Sequence, residues 1–143
     1  MLHNVPPILS PDLLCSLRAM GHGDDIVITD ANFPATGLAR RCHRLDGISA
    51  TAVLEAILTL LPLDTFVPDP AIVMQVVDAP DTIPPVVAAF QTIINQHADH
   101  PVSISGIDRF AFYARAKDAF AIVQTGETRL YGNIILKKGV IGA

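Results

Sequence analysis

Apolar positions along the chain recur with two periods, and the alternation between them lays out the fold. Leu13, Leu14, Leu17 and Met20 fall at helical spacing. Ser10-Pro11-Asp12 precede them with a capping hydroxyl, a proline whose missing N–H does no harm in a first turn, and a carboxylate near the positive helix end; Gly21 is placed to stop the helix. Ile26-Val27-Ile28, a β-branched run without alternation, predicts a strand covered on both faces and ending at Thr29-Asp30. Phe33-Pro34 opens an irregular segment to about Arg40, followed by a weaker strand around Cys42 to Leu45 and a turn at Asp46-Gly47.

The same two periods continue to the end of the chain. Ser49 caps a second helix through Leu61, with an apolar stripe of Val53, Leu54, Ile57, Leu58 and Leu61, and Pro62 stops it. Ile72 to Val77 reads as a buried strand, and Asp81 with Pro84-Pro85 introduces a third helix to about His97. Val102 to Ile104 predicts a short strand ending near Gly106, Asp108 a cap for a compact helix from Arg109 to Ala116, and Phe120 to Val123 a strand running into the turn Thr125-Gly126-Glu127. Asn133 to Leu136, entered through Tyr131-Gly132, is the last strand. Helices and strands alternating over short connections predict an α/β fold, a three-layer αβα domain with a mixed central sheet in which the final two strands form an antiparallel hairpin. With no repeat, low-complexity tract or long linker, the expectation is one domain over residues 1–143.

Composition narrows the function classes. Half of the residues are hydrophobic, which argues against disorder, yet no run approaches the roughly 18 apolar residues of a membrane span. The formal net charge is -4, and the ten Lys and Arg residues are scattered apart from Arg40-Arg41 and Lys137-Lys138, so no nucleic-acid footprint is expected. Two distant cysteines, Cys15 and Cys42, offer neither a disulfide framework nor metal-ligand spacing, and there is no basic-then-apolar leader; a cytoplasmic protein is expected. So much apolar residue in a small chain points to burial between subunits.

Candidate chemistry is sparse. His22, between two glycines, is suited to general acid–base work, and equally to pairing with the C-terminus of the first helix. Asp30 stands at the carboxyl end of a buried strand, where open α/β sheets place ligand-binding groups, or serves as a turn aspartate. Asp24 and Asp25 read as solvated loop carboxylates. Arg109 starts a helix, against the dipole, which suits a hydroxyl or anion contact or a pairing with Asp108 or Asp118. Tyr131 and Asn133, separated by Gly132, put a phenol and an amide on one side of an extended strand, a lining for a polyhydroxylated ligand. Phe110, Phe112 and Phe120 read as core. No phosphate loop, nucleophile elbow or metal motif is visible, so no metal and no cofactor are expected.

Met-Gly-His-Gly-Asp at 20–24, Asp-Ala-Asn-Phe-Pro at 30–34, Arg-Phe-x-Phe-Tyr-x-Arg-Ala-Lys at 109–117, Ala-Phe-Ala-Ile-Val-x-Thr-Gly-Glu at 119–127 and Tyr-Gly-Asn-Ile-Ile-Leu-Lys-Lys-Gly at 131–139 resemble, in order and over nearly the whole chain, the L-fucose mutarotases, sisters of the D-ribose pyranases. The resemblance implies a mixed-sheet αβα fold, a homo-oligomer with a decameric ring as one form, and catalysis without metal or coenzyme. It also implies proton transfer by His22 and sugar contacts from Asp30, Arg109, Tyr131 and Asn133, with Gly132 letting the backbone approach. Position 32 is asparagine here, as in animal-type members, where many bacterial ones carry histidine. L-fucose is the substrate implied; D-ribose or another aldose, or non-catalytic monosaccharide binding, are the alternatives. The second acid–base group is left open between Tyr131, Asp30 and water.

Asp25 to Thr29, fully extended, would put about 16 Å between the His22 loop and Asp30. Either the loop folds back or one site draws on two subunits.

Overall fold

The computed structural model describes residues 1–142. The elements run α1 (Pro11–Ala19), β1 (Asp25–Thr29), α2 (Ala35–Leu38), β2 (Cys42–Leu45), α3 (Ala50–Leu58), β3 (Ala71–Met74), α4 (Pro85–His97), β4 (Ser105–Ile107), α5 (Arg109–Asp118), β5 (Ala121–Thr125) and β6 (Ile134–Lys137). The predicted caps form: Ser10 accepts from the Leu13 amide, Ser49 from Ala52, and Asp108 from Phe110 and Ala111. Gly21 does not end α1 in a left-handed turn; the chain leaves through an extended Met20, and Gly23 carries the positive φ, +84°. Prolines alone open α4, whose N-cap is Pro84, and Asp81 makes no cap.

The six strands form one sheet in the order β2-β5-β1-β6-β3-β4. β1, β2 and β5 are mutually parallel, β3 and β4 are parallel, and β6 is antiparallel to both β1 and β3. The sheet is therefore mixed as expected, but not through a terminal hairpin: β1 separates β5 from β6. β6 joins two parallel blocks, and its Ile134, Ile135 and Leu136 are fully buried.

Alternation along the strands divides the core into two layers. Ile26, Ile28, Ala71, Val73, Ala121, Val123, Ile134 and Leu136 pack under α1, α3 and α4. Val27, Ile72, Met74, Ile122 and Ile135 face α2 and α5 through Phe33, Phe112 and Ala116. This is the αβα arrangement. Of the three phenylalanines read as core, Phe112 is fully buried, Phe120 half-buried, and Phe110 is 73% exposed on the outer side of α5.

Two strand predictions shift. β3 stops at Met74 because the chain turns at 76–79, where Asp78 takes a φ of 61°. β4 lies three residues beyond the predicted run. Val102 is core without being strand, since the Gln91 side chain on α4 donates to the Val102 carbonyl at 2.8 Å and accepts from the Ile104 amide at 2.9 Å, taking the place of a strand partner.

Candidate active site

All five parallel strands point their carboxyl ends to one edge of the sheet, and β6 starts there. Asp30 follows β1 at that edge, 6% exposed. Its backbone N–H donates to Asn133 Oδ1 and its Oδ2 accepts from Asn133 Nδ2, both at 2.9 Å, while Oδ1 accepts from the Asn32 amide at 2.9 Å. This reciprocal clamp leaves each carboxyl oxygen further acceptor capacity. Asn32 takes part through its backbone.

Tyr131 and Asn133 do not share one side of a strand. The strand begins after them, Tyr131 has a φ of 64°, and the Asn133 amide donates to the Tyr131 carbonyl at 2.8 Å. A left-handed tyrosine costs about 1–2 kcal/mol; the structure keeps it there, with the phenol accepting from the Val77 amide at 3.2 Å. At Gly132 a Cβ would lie 2.7 Å from Glu127 Cγ and 3.5 Å from Asp30 Cβ, so the missing side chain serves packing inside this turn. Arg109 and Val77 line a cavity of about 260 Å³ on the same edge. Asp118 is taken by Arg40 at 3.3 Å and Asp108 by the helix amides, and the Arg109 guanidinium lies 5.0 Å from the Phe110 ring centroid.

His22 lies at the opposite edge. Its Nε2 is 2.9 Å from Asp64 Oδ1, and not at the end of α1. The imidazole is 44% exposed while the Asp64 side chain is 2% exposed. Burial pushes the Asp64 carboxyl up, but the hydrogen bonds from His22 and from the Phe66 and Thr65 amides outweigh it and hold the group below its ordinary 3.8. An ionised Asp64 accepts a hydrogen bond from His22 Nε2–H, a pairing in which a singly protonated imidazole carries its lone pair on Nδ1. The loop around it is tied to the end of β6: the Gly23 amide donates to the Lys138 carbonyl at 2.8 Å and Lys137 Nζ to the Gly23 carbonyl at 2.9 Å. Asp24 accepts from the Gly21 amide, and Asp25 is no solvated carboxylate; it is paired with Arg115 at 2.8 Å and Lys137 at 2.9 Å.

The chain thus brings Asp30, Tyr131, Gly132 and Asn133 together, with Arg109 on the same edge, and keeps His22 at the other end of β1. The loop does not fold back. Among the described residues no three His, Cys, Asp or Glu side chains converge as a metal site.

Residues 3–141 match the model of the RbsD / FucU transport protein family. The chain belongs to that family. The bovine fucose mutarotase is 50% identical over 99% of this chain and 95% of its own length, and an L-fucose mutarotase of Histophilus somni is 46% identical over 98% and 97%. A crystal structure of the fucose mutarotase of Streptococcus pneumoniae in complex with L-fucose superposes with a TM-score of 0.92 at 45% identity, covering 99% of this chain and all of that one. Bacillus subtilis RbsD complexed with D-ribose shares the fold, with a TM-score of 0.75 at 22% identity.

In this member of the RbsD / FucU family, Asp64 and Glu127 join the two edges' machinery without standing out in the sequence. Asp64 lies 42 residues from His22 in an unremarkable Leu-Asp-Thr-Phe context, so no local signal marks it. Glu127 was visible only within the Thr-Gly-Glu turn. It is buried, binds the Arg129 guanidinium through two hydrogen bonds of 2.8 Å, and its backbone carbonyl accepts from the Ala31 amide at 2.9 Å. It therefore connects the turn carrying Tyr131 to the segment carrying Asp30.

The Arg129 guanidinium hydrogen-bonded to Glu127 outweighs the opposing effect of burial and, helped by the Arg129 amide, lowers the Glu127 carboxyl from 4.5 to about 2. A carboxyl depressed on folding stabilises above its unfolded value and loses that contribution as pH falls through the folded one. Urea denaturation at stepped pH should show wild-type stability falling between pH 4.5 and about 2, with a shallower fall in Glu127→Gln. Equal slopes would detach Glu127 from acid lability.

Proposed function

We propose that this protein is an L-fucose mutarotase, with residues 1–143 acting as one domain in a cytoplasmic homo-oligomer, and that each site joins the His22 edge of one subunit to the Asp30 edge of its neighbour. The single observation that carries the split site is the position of His22, anchored by a buried carboxylate and itself 44% exposed, at the far end of β1 from the groups proposed to bind hydroxyls. Apolar side chains accompany both edges: Phe66 beside His22, Phe110 beside Arg109 and Leu130 beside Tyr131 are all about two-thirds exposed or more, which suits surfaces covered by another copy. The named relatives, and the pneumococcal complex with L-fucose, supply the substrate.

The reaction needs only proton transfers. The ring oxygen O5 takes a proton as the anomeric O1–H gives one up, the C1–O5 bond breaks, and the aldehyde carbon turns about C1–C2. The proton movements reverse on closure to the other anomer, with no net change in atoms or electrons. With Nε2–H held by Asp64, His22 is suited to accept or return one of these protons through Nδ1. Asp30, with its clamp to Asn133, and Arg109 hold hydroxyls, and Tyr131 stands in the same turn; either Tyr131, Asp30 or water completes the pair. No hydride or electron moves, so the proposed reaction calls for no coenzyme.

NMR exchange spectroscopy on L-fucose at anomeric equilibrium tests the assignment. Faster α/β exchange in the presence of the protein is the expected result. Saturation transfer to L-fucose without faster exchange would replace the enzyme by a sugar-binding protein.

A further inference from the structure

The loop after Asp64 brings an aromatic ring to His22 and covers it with nothing. Phe66 is 71% exposed, its ring centroid 5.0 Å from that of the imidazole at an interplanar angle of 56°. Its amide donates to Asp64 Oδ1 at 3.3 Å, the oxygen that also accepts from His22 Nε2. One buried oxygen thus fixes both the imidazole and the backbone that carries the phenyl ring. Pro68 and Pro70 stiffen the rest of the loop. Phenylalanine is usually buried; here the fold invests a hydrogen bond and two prolines in presenting one beside a proton-transfer group.

The polar groups at the two edges account for hydroxyls, and none accounts for the remaining feature of a 6-deoxyhexose, the methyl on C5 and the C–H face next to it. Phe110, exposed at the other edge, is not equivalent, because the Arg109 guanidinium already lies over its ring. Resting on the mutarotase reading above, we infer that Phe66 is a substrate-contact residue that packs against the apolar face and methyl group of the fucopyranose and makes the site prefer a 6-deoxyhexose to a pentose.

D-arabinopyranose has the ring and hydroxyl configuration of L-fucopyranose without the methyl, so the two sugars isolate the contact. Exchange NMR gives kcat/KM for each with the wild-type chain, Phe66→Ala and Phe66→Leu. The wild type should favour L-fucose by about tenfold or more, the discrimination one methyl commands in an apolar site. Phe66→Ala should bring the ratio close to one, chiefly by raising KM for L-fucose while the D-arabinose rate falls by a smaller factor. Phe66→Leu should keep most of the preference. An unchanged ratio in Phe66→Ala overturns the inference, and so does an equal loss for both sugars accompanied by dissociation in gel filtration, which makes Phe66 a subunit contact only. Failure of the wild type to accelerate either sugar would instead overturn the mutarotase reading on which this one rests.

Discussion

Replacing His22 by alanine is expected to slow anomeric exchange of L-fucose by about 10²–10⁴-fold, the range a positioned acid–base group supplies. The loss should fall on kcat. The groups proposed to hold hydroxyls sit at the other edge of the sheet, where Asp30 and Asn133 hold each other without reference to His22. Titration of the variant with L-fucose, followed by saturation transfer, should therefore still report binding. Asp64→Asn should act in the same direction and less severely. An asparagine still reaches Nε2, but it can present its amide N–H there and favour the tautomer with the proton on Nδ1, the wrong one for accepting a proton at that nitrogen. A fall of about tenfold or more in kcat with little change in KM is the expected outcome. If His22→Ala exchanged the sugar at the wild-type rate, the imidazole would have no part in the chemistry.

The second large effect is a recovery. Neither His22→Ala nor Asp30→Asn should be active alone, but subunits of the two mixed one to one should regain about a quarter of wild-type activity. In a closed symmetric assembly each contact takes its imidazole from one copy and its carboxylate from the next, and each is intact half the time. Co-expression with two affinity tags, purification of the hybrid and exchange NMR measure it. A hybrid as dead as its parents would place both groups in sites of single subunits, against the separation of His22 and Asp30 by the length of β1.

The length of β1 behind that separation is legible from the chain, because a strand of known rise has a known length, while whether the His22 loop folds back is not. Legible too are the caps at Ser10, Ser49 and Asp108, where short-range hydrogen bonds decide the outcome, and β2, which runs from Cys42 to Leu45 as its weak pattern suggests. What local pattern could not reach was decided by distant partners. Val102 reads as strand until the Gln91 side chain, folded across from α4, occupies its backbone. Asp25 reads as loop until Arg115 and Lys137 meet it. Asp64, the group that fixes His22, carries no mark in its own neighbourhood. The terminal hairpin failed for a related reason: β5 and β6 are sequence neighbours, yet each finds β1 the better-matched edge, on opposite sides.

β6 also sets the order in which this protein can be completed during synthesis. The blocks β2-β5-β1 and β3-β4 share no strand pairing until Ile134–Lys137 slides between them, so synthesis must pass β6 before the sheet exists as one piece. Until then the inner edges of β1 and β3 are unpaired and lined with isoleucine and valine, the kind of edge that draws in foreign strands. Nascent chains stalled or truncated before residue 134 should therefore be the aggregation-prone species, while a chain released only a few residues later already has its two halves sewn together.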